Sequence, residues 1–361
     1  MIPDNLFTRL EQDDYEEILV AQNRASGLRA FLVIHDTTFG PAHGGTRTLC
    51  YSSDREALED ALLLARAMTY KAALAGIPAG GGKIVVLDHP RMERQAAFRA
   101  LGRFVESLSG RFFTGGDMGT TAQDLLWMNE ETSYVASEAD PRIGDLAEAT
   151  ARGVFAGFRA CLDVAGLEPG RTTVAIQGVG AVGYRLAELL REQGCKLVVA
   201  DVNREAAERA CRALGAVAVE PHEIYDARAD VFAPCAVGGT VNPETVPRLR
   251  ARIICGCANN VLADAAVGQE LVKRDILYAP DYVVNAGGLI QGGNAHLLGK
   301  TDNREELEAI YGRTREILER ARIAGRPTQA IADEMAQARL KRPKTYHEMS
   351  WPSSASHRRG W

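Results

Sequence analysis

Several things are scarce in this sequence. No run of residues approaches the roughly 18 apolar residues that a membrane-spanning helix needs. Neither sign of charge dominates: 42 Lys and Arg stand against 47 Asp and Glu, for a net charge of -5. That balance offers no basic surface for nucleic acid or an anionic membrane, and the short cluster His357, Arg358 and Arg359 does not alter it. The seven cysteines are odd in number and include no CxxC pair, which argues against a disulfide framework and a zinc site. Cys255 and Cys257, two apart in an apolar strand, read as packed thiols on one face. Four acids and no apolar run mark the stretch from Met1 to Asp14, so it does not read as a signal peptide. A reducing, cytoplasmic setting and no metal are expected.

What remains is ordinary globular material, 46% hydrophobic and 25% charged, in 361 residues that suit two domains. Ala30 to His35 reads as a strand. Ser53 and Glu56 form a capping box that opens a helix, with Leu58, Leu62, Ala65 and Met68 at helical spacing and a stop at Gly76. From 171 to 260, short apolar strands alternate with helical stretches, the pattern of a parallel doubly wound sheet. Arg304 to Ala324 is a long amphipathic helix, and the chain from Ser350 to Trp361 reads as a loose tail.

The strand Thr172–Gln177 runs into Gly178-Val179-Gly180-Ala181-Val182-Gly183 and then a helix, the setting in which GxGxxG binds a dinucleotide. The first glycine permits the turn, the second lets pyrophosphate approach the backbone, and the third lets helix pack on strand. The next strand ends at Asp201, where a carboxylate would accept the ribose hydroxyls and repel a 2′-phosphate. NAD is therefore expected over NADP. The alternative for Asp201 is a solvated strand-end carboxylate.

Between Met68 and Leu87 the only charges are Lys71 and Lys83. Lys71 shares a helix face with Leu64, Met68 and Ala75, and Lys83 follows three glycines that leave room for a ligand. An ammonium without a partner is costly to bury, so the pair points to an anionic ligand, a lowered pKa, or both. The alternative is that either lysine snorkels to water. Gly115, Gly116 and Gly119 flank Asp117 in a loop that either presents a carboxylate to a cleft or is a plain turn. Asn259 and Asn285 each close an apolar run, where amides serve as ligands to ribose or nicotinamide, or simply as turn residues.

Taken together, MTYKAALAGIPAGGGK, GGDMGTT, GVGAVG, APCAVGG, ANNVLAD and YAPDYVVNAGG resemble the leucine/phenylalanine/valine dehydrogenases of the glutamate dehydrogenase superfamily. The resemblance runs from about Asp13 to about Arg342, with its motifs nearest to those of phenylalanine dehydrogenases. It implies an α/β fold of two domains with a cleft between them. Residues 1–147 would form the substrate and oligomerisation domain, 148–325 the Rossmann domain, and 326–361 would return to the first. It also implies a homo-oligomer and NAD-dependent, reversible deamination of an L-amino acid to the 2-oxo acid and ammonia. Lys83 would be the catalytic acid/base, with Asp117 sharing its proton transfers, and Lys71 would hold the substrate carboxylate beside Gly44. Asn259 and Asn285 would contact cofactor and substrate, and Thr150 the nicotinamide amide. Ala236, in APCAVGG, would lie against the cofactor with the glycine-rich turn.

Gly115 and Leu289 match the aromatic-specific relatives, which implies phenylalanine as substrate. Three features depart from the family. His43 stands where an aliphatic residue is usual, and either packs as a satisfied core histidine or adds polarity to the side-chain pocket. Gly292 replaces a usual valine and enlarges the pocket, which admits tryptophan. The segment 144–150 lacks the prolines common at this junction. A leucine or valine dehydrogenase is the alternative. A non-catalytic dinucleotide-binding protein would have no need of Lys71, Lys83 and Asp117, and a hydroxy-acid dehydrogenase would need a histidine acid/base that is missing.

Overall fold

The computed structural model describes residues 6–137 and 140–341; the C-terminal tail read above lies outside them. The first half begins with α1 (Leu6–Asp13), β1 (Glu17–Asn23), β2 (Leu28–Asp36), β3 (Ala42–His43) and β4 (Thr46–Leu49). It continues with α2 (Asp54–Ala75), β5 (Gly80–Leu87), α3 (Arg94–Ser107), β6 (Phe112–Phe113) and α4 (Ala122–Asn129). Its sheet has the order β1-β2-β5-β3-β6, with β4 also paired to β5. The β1–β2 and β2–β5 pairs are antiparallel, and the pairs of β3 and β4 with β5 are parallel.

Every residue of β5 is buried, because α2 covers one face of the sheet and the Phe98–Phe112 core lies on the other. The three glycines belong to this strand rather than to an open loop beside a ligand, which corrects the reading from sequence. A Cβ on Gly81 would come within 2.0 Å of the Thr69 amide nitrogen, so glycine is what lets α2 lie this close. The capping of α2 also differs in part. Ser53 accepts from the Glu56 amide as expected, but the Glu56 carboxylate reaches back to Ser52 instead of Ser53.

The second half holds α5 (Leu146–Ala165), β7 (Thr173–Gln177), α6 (Ala181–Glu192), β8 (Lys196–Ala200), α7 (Arg204–Leu214), β9 (Val217–Ala218) and β10 (Val231–Pro234). Then come β11 (Ile253–Ile254), α8 (Ala265–Lys273), β12 (Leu277–Tyr278), α9 (Asp281–Val284), α10 (Gly287–Leu298), α11 (Arg304–Ala324) and α12 (Thr328–Leu340). Its sheet, β12-β11-β10-β7-β8-β9, is parallel throughout. The order reverses at β7, and ligands of such sheets bind beyond the carboxyl ends of the strands at that point. Cys255 lies just past β11 and is buried. Cys257 instead reaches the cleft, so the two thiols are not equivalent. Asn285 caps the short helix α9, which forms the end of the apolar run it closes.

α12 lies back on α2, with Gln337 Nε2 donating to the Tyr70 hydroxyl at 2.9 Å and Arg339 donating to the Ala73 carbonyl. Among the described residues no helix is long and apolar enough to cross a membrane.

Candidate active site

A cleft of about 410 Å³ opens between the two sheets. Its walls come from the turn after β3, from α2, β5 and the loop after β6, and from α5, α9 and α10 of the second half. Among the candidate catalytic, substrate and cofactor residues, twelve line it: His43, Gly44, Lys71, Lys83, Gly115, Asp117, Thr150, Val182, Asn259, Asn285, Leu289 and Gly292.

Lys83 projects from the middle of β5, where it pairs with Val33 of β2, and is 4% exposed. Its Nζ donates to Asp117 Oδ2 at 2.5 Å. Burial lowers the proton affinity of this ammonium, and the Asp117 charge only partly restores it. Burial alone would raise Asp117, but Lys83 and Arg47 outweigh it and hold the carboxyl at about 2. Arg47, on β4, donates through Nε to the same carboxylate oxygen at 3.0 Å and through Nη1 to Asp60. Asp60 is fixed in turn by the Tyr51 hydroxyl at 2.6 Å.

Lys71 follows the α2 stripe into the cleft, as its helical spacing predicted. Burial pushes it down to about 8, with Asp281 opposing the shift and Lys83 adding to it. Asp281, at the start of α9, accepts from the Val261 amide at 2.7 Å and is 7% exposed. Burial raises its carboxyl despite that hydrogen bond and despite Lys71.

Asn285 Nδ2 donates to Asn259 Oδ1 at 2.8 Å and to the Cys257 carbonyl at 3.2 Å, which leaves its buried Oδ1 without a partner. An unpartnered amide oxygen of this kind, on a residue that lines the cleft, calls for an N–H donor. Thr150 Oγ1 donates to the Leu146 carbonyl at 2.7 Å, so its lone pairs stay open.

The glycine-rich turn fits a dinucleotide pyrophosphate. Gly178 has φ +95°, where a side chain is strained, and a Cβ there would also run into Ala236. A Cβ on Gly183 would lie 2.1 Å from the Gly178 carbonyl oxygen. Gly180 faces open space, caps α6 without a side-chain bond, and with Ala181 borders a groove of about 740 Å³ between α6 and α7. Asp201 accepts from the Val179 and Asn203 amides, both at 2.8 Å. A carboxylate has about four lone-pair sites, so two remain for ribose hydroxyls.

Sequence comparison agrees with this arrangement. Residues 16–134 match the model of the Glu/Leu/Phe/Val dehydrogenase dimerisation domain, and 201–295 match that of Glutamate/Leucine/Phenylalanine/Valine dehydrogenase. A leucine dehydrogenase of Geobacillus stearothermophilus is 45% identical over 345 residues, 93% of each chain. The chain belongs to the glutamate/leucine/phenylalanine/valine dehydrogenase family. It is an amino-acid dehydrogenase, an oxidoreductase acting on the CH–NH2 group, and the family uses a nicotinamide cofactor. A phenylalanine dehydrogenase of Bacillus thermotolerans is 42% identical, covering 93% of this chain and 91% of its own. The crystal structure of L-tryptophan dehydrogenase from Nostoc punctiforme superposes with a TM-score of 0.81 at 41% identity, covering 93% and 98% of the two chains.

Four residues that the sequence reading passed over belong to the site: Arg47, Phe113, Asp281 and His296. Asp281 carried a usable signal, a lone carboxylate in the apolar run from Ile276 to Val284. Arg47 carried none, since its partner Asp117 is 70 residues away.

Proposed function

We propose that the protein is an NAD-dependent dehydrogenase of aromatic L-amino acids, acting on phenylalanine and admitting tryptophan, with 2-oxo acid and ammonia as products. The observation that carries the reading is the cleft itself. It joins an ammonium–carboxylate pair, Lys83 and Asp117, to a pocket bounded by Phe113, Gly115, Leu289 and Gly292. A Cβ on Gly115 would touch Ala136 at 3.4 Å, and one on Gly292 would lie 3.7 Å from Leu146 Cδ2. Both positions accept a methyl without strain, so their glycines leave side-chain volume free.

In this reading Lys71 donates to the substrate carboxylate, a charge-assisted bond. Asn285 Oδ1 accepts from an N–H of substrate or cofactor, Asn259 holds Asn285 in place, and Thr150 faces the nicotinamide amide. The cofactor, when bound, supplies the acceptor for the hydride of the amino-acid Cα. The substrate ammonium first gives up one proton to solvent, so that loss of the Cα hydride leaves an iminium carbon. Lys83 in its free-base form then takes a proton from water as the oxygen adds to that carbon. It returns that proton to nitrogen, and the carbinolamine C–N bond breaks as the hydroxyl proton leaves toward Lys83 and Asp117. A lysine of lowered proton affinity suits both directions of this transfer near neutral pH.

Asp201 supports NAD over NADP, since it would repel a 2′-phosphate. We assign 1–147 with 326–361 to the substrate domain and 148–325 to the nucleotide domain. The packing of α12 on α2 supports that return, and the dimerisation-domain match over 16–134 supports a homo-oligomer. The seven cysteines are free thiols, which supports a cytoplasmic setting. A branched-chain preference is the second reading, favoured by the 45% identity to a leucine dehydrogenase. NADH formation against the twenty L-amino acids tests both. Turnover of leucine or valine well above phenylalanine and tryptophan would overturn the aromatic assignment.

A further inference from the structure

Deep in the side-chain pocket, three rings meet. His43 ends β3 and stands in register with Phe113 of β6 on the neighbouring parallel strand. Their rings stack at 4.9 Å with 9° between planes. From the facing helix α10, His296 brings its ring to 5.3 Å from Phe113 and 6.3 Å from His43. Leu289, Gly292 and His296 share one face of α10 at helical spacing, so the positions that leave space free are next to the second histidine.

His43 is 5% exposed, and its Nδ1 lies 3.2 Å from the Pro41 carbonyl oxygen. A carbonyl can only accept, so Nδ1 carries the proton. In a neutral imidazole Nε2 is then a bare lone pair. Burial pushes the ring down to about 4, so it is neutral at physiological pH. Its Nε2 is buried with no partner, and so is Nε2 of His296. Both histidines line one end of the cavity. Two unpartnered ring nitrogens are costly to keep in a protein interior, a cost that a ligand donor reached by a small turn of the ring would relieve.

We infer that the His43–Phe113–His296 cluster is an acceptor wall that selects aromatic amino acids bearing a ring donor, an indole N–H or a phenol O–H, over those with a plain ring. This rests on the aromatic reading proposed above and adds what the end of the pocket recognises. The Phe113 ring supplies apolar contact to the substrate ring, and His43 Nε2 accepts its proton donor. His296 completes the wall from the other side, where Asp140 and Arg142 are its charged neighbours. A site built around such a hydrogen bond discriminates strongly, because a substrate without the donor leaves the acceptor buried and unpaired.

The experiment compares kcat/KM for tryptophan with that for L-3-benzothienylalanine, in which sulfur replaces the indole N–H at nearly the same shape. Tyrosine and phenylalanine form the second pair. Wild type should favour tryptophan over its sulfur analogue by about tenfold or more, the equivalent of one retained hydrogen bond. The ratio should fall toward one in His43→Phe, and because both substrates are measured on the same variant, any general change in turnover cancels in it. His296→Phe should lower it less. A wild-type ratio near one would overturn the inference without recourse to any variant, and would mean that the two histidines satisfy each other or a trapped water. A ratio that survives in both variants would overturn it as well. An enzyme that turns over phenylalanine but ignores the ring donor refutes only this inference. One that turns over leucine and no aromatic amino acid refutes the aromatic reading beneath it.

Discussion

Removing the Arg47 guanidinium while keeping its hydrocarbon stem, as in Arg47→Met, should raise the pH at which Lys83 loses its proton. Asp117 Oδ2 lies 2.5 Å from Lys83 Nζ and 3.0 Å from Arg47 Nε, so the two cationic nitrogens are at most about 5.5 Å apart. At an effective dielectric constant of about 20, two unit charges at that separation repel by about 3 kcal/mol, or about two pKa units. The guanidinium charge is delocalised and also paired with Asp60, which lessens its effect on Lys83. The expected shift is therefore about one unit upward. Burial already holds Lys83 below its ordinary range, and the upward shift undoes part of that, so less of the lysine is free base at any given pH. The assay is the pH dependence of kcat/KM for deamination, whose alkaline-rising limb reports the free enzyme's base. In Arg47→Met that limb should move to higher pH, and in Arg47→Lys, which retains a charge, it should stay nearer wild type. A limb that stays in place or moves downward in Arg47→Met would refute the idea that Arg47 tunes Lys83 through their shared carboxylate.

Other substitutions separate the proposed roles. Lys83→Ala should remove nearly all turnover while NADH binding, followed by fluorescence, stays close to wild type; more than a tenth of wild-type kcat would rule this lysine out as the acid/base. Lys71→Ala should act mainly on KM, by about 1.5–3 kcal/mol for a lost bond between charged groups, and an unchanged KM would free the lysine from any part in carboxylate binding. Asp201→Ala should narrow the preference for NAD over NADP, and a wild type that uses both equally would contradict the ribose assignment. Gly115→Ala and Gly292→Val should each shift preference from aromatic toward aliphatic substrates, by about fivefold or more if overfilling costs about 1–3 kcal/mol. An unchanged ratio in both would place the substrate ring elsewhere.

The parts of the site legible in sequence were those where a local pattern is broken. A glycine-rich turn between a strand and a helix, and two lysines in an otherwise uncharged stretch, are anomalies that need no partner to be noticed. Asp117 stood out through the glycines around it. What stayed hidden depends on chain segments distant in sequence. Arg47 is one arginine among many until the fold sets it on Asp117, and His296 has meaning only when α10 brings it over Phe113. The glycine run before Lys83 shows the opposite error. Its residues are small because α2, β2 and Phe112 crowd them, and sequence alone does not tell that pressure from room left for a ligand. Asn285 lines the cleft from the end of a four-residue helix, an element that an apolar run in sequence does not distinguish from a strand.

The charges around the cleft also bear on what it will not hold. Three cations, Arg47, Lys71 and Lys83, are matched by three carboxylates, Asp60, Asp117 and Asp281, all linked by hydrogen bonds or close electrostatic contact. An amino acid arrives as a zwitterion, with no net charge, and suits a site that is balanced in this way. Asp281 attracts Lys71 electrostatically while accepting from the Val261 amide, and in the proposed reading Lys71 donates to the substrate carboxylate. At the other end of the cavity the wall is apolar or neutral: Phe113, the uncharged His43, and the backbone around Gly292. A second carboxylate, such as that of glutamate, would be buried there against neutral rings, at a cost of several kcal/mol unless it reached Arg142 beside His296. Within a family that includes glutamate dehydrogenases, the cleft of this chain thus separates two tasks. In the proposed reading, fixed, paired charges would handle the groups common to all amino acids, and neutral rings would meet the group that differs.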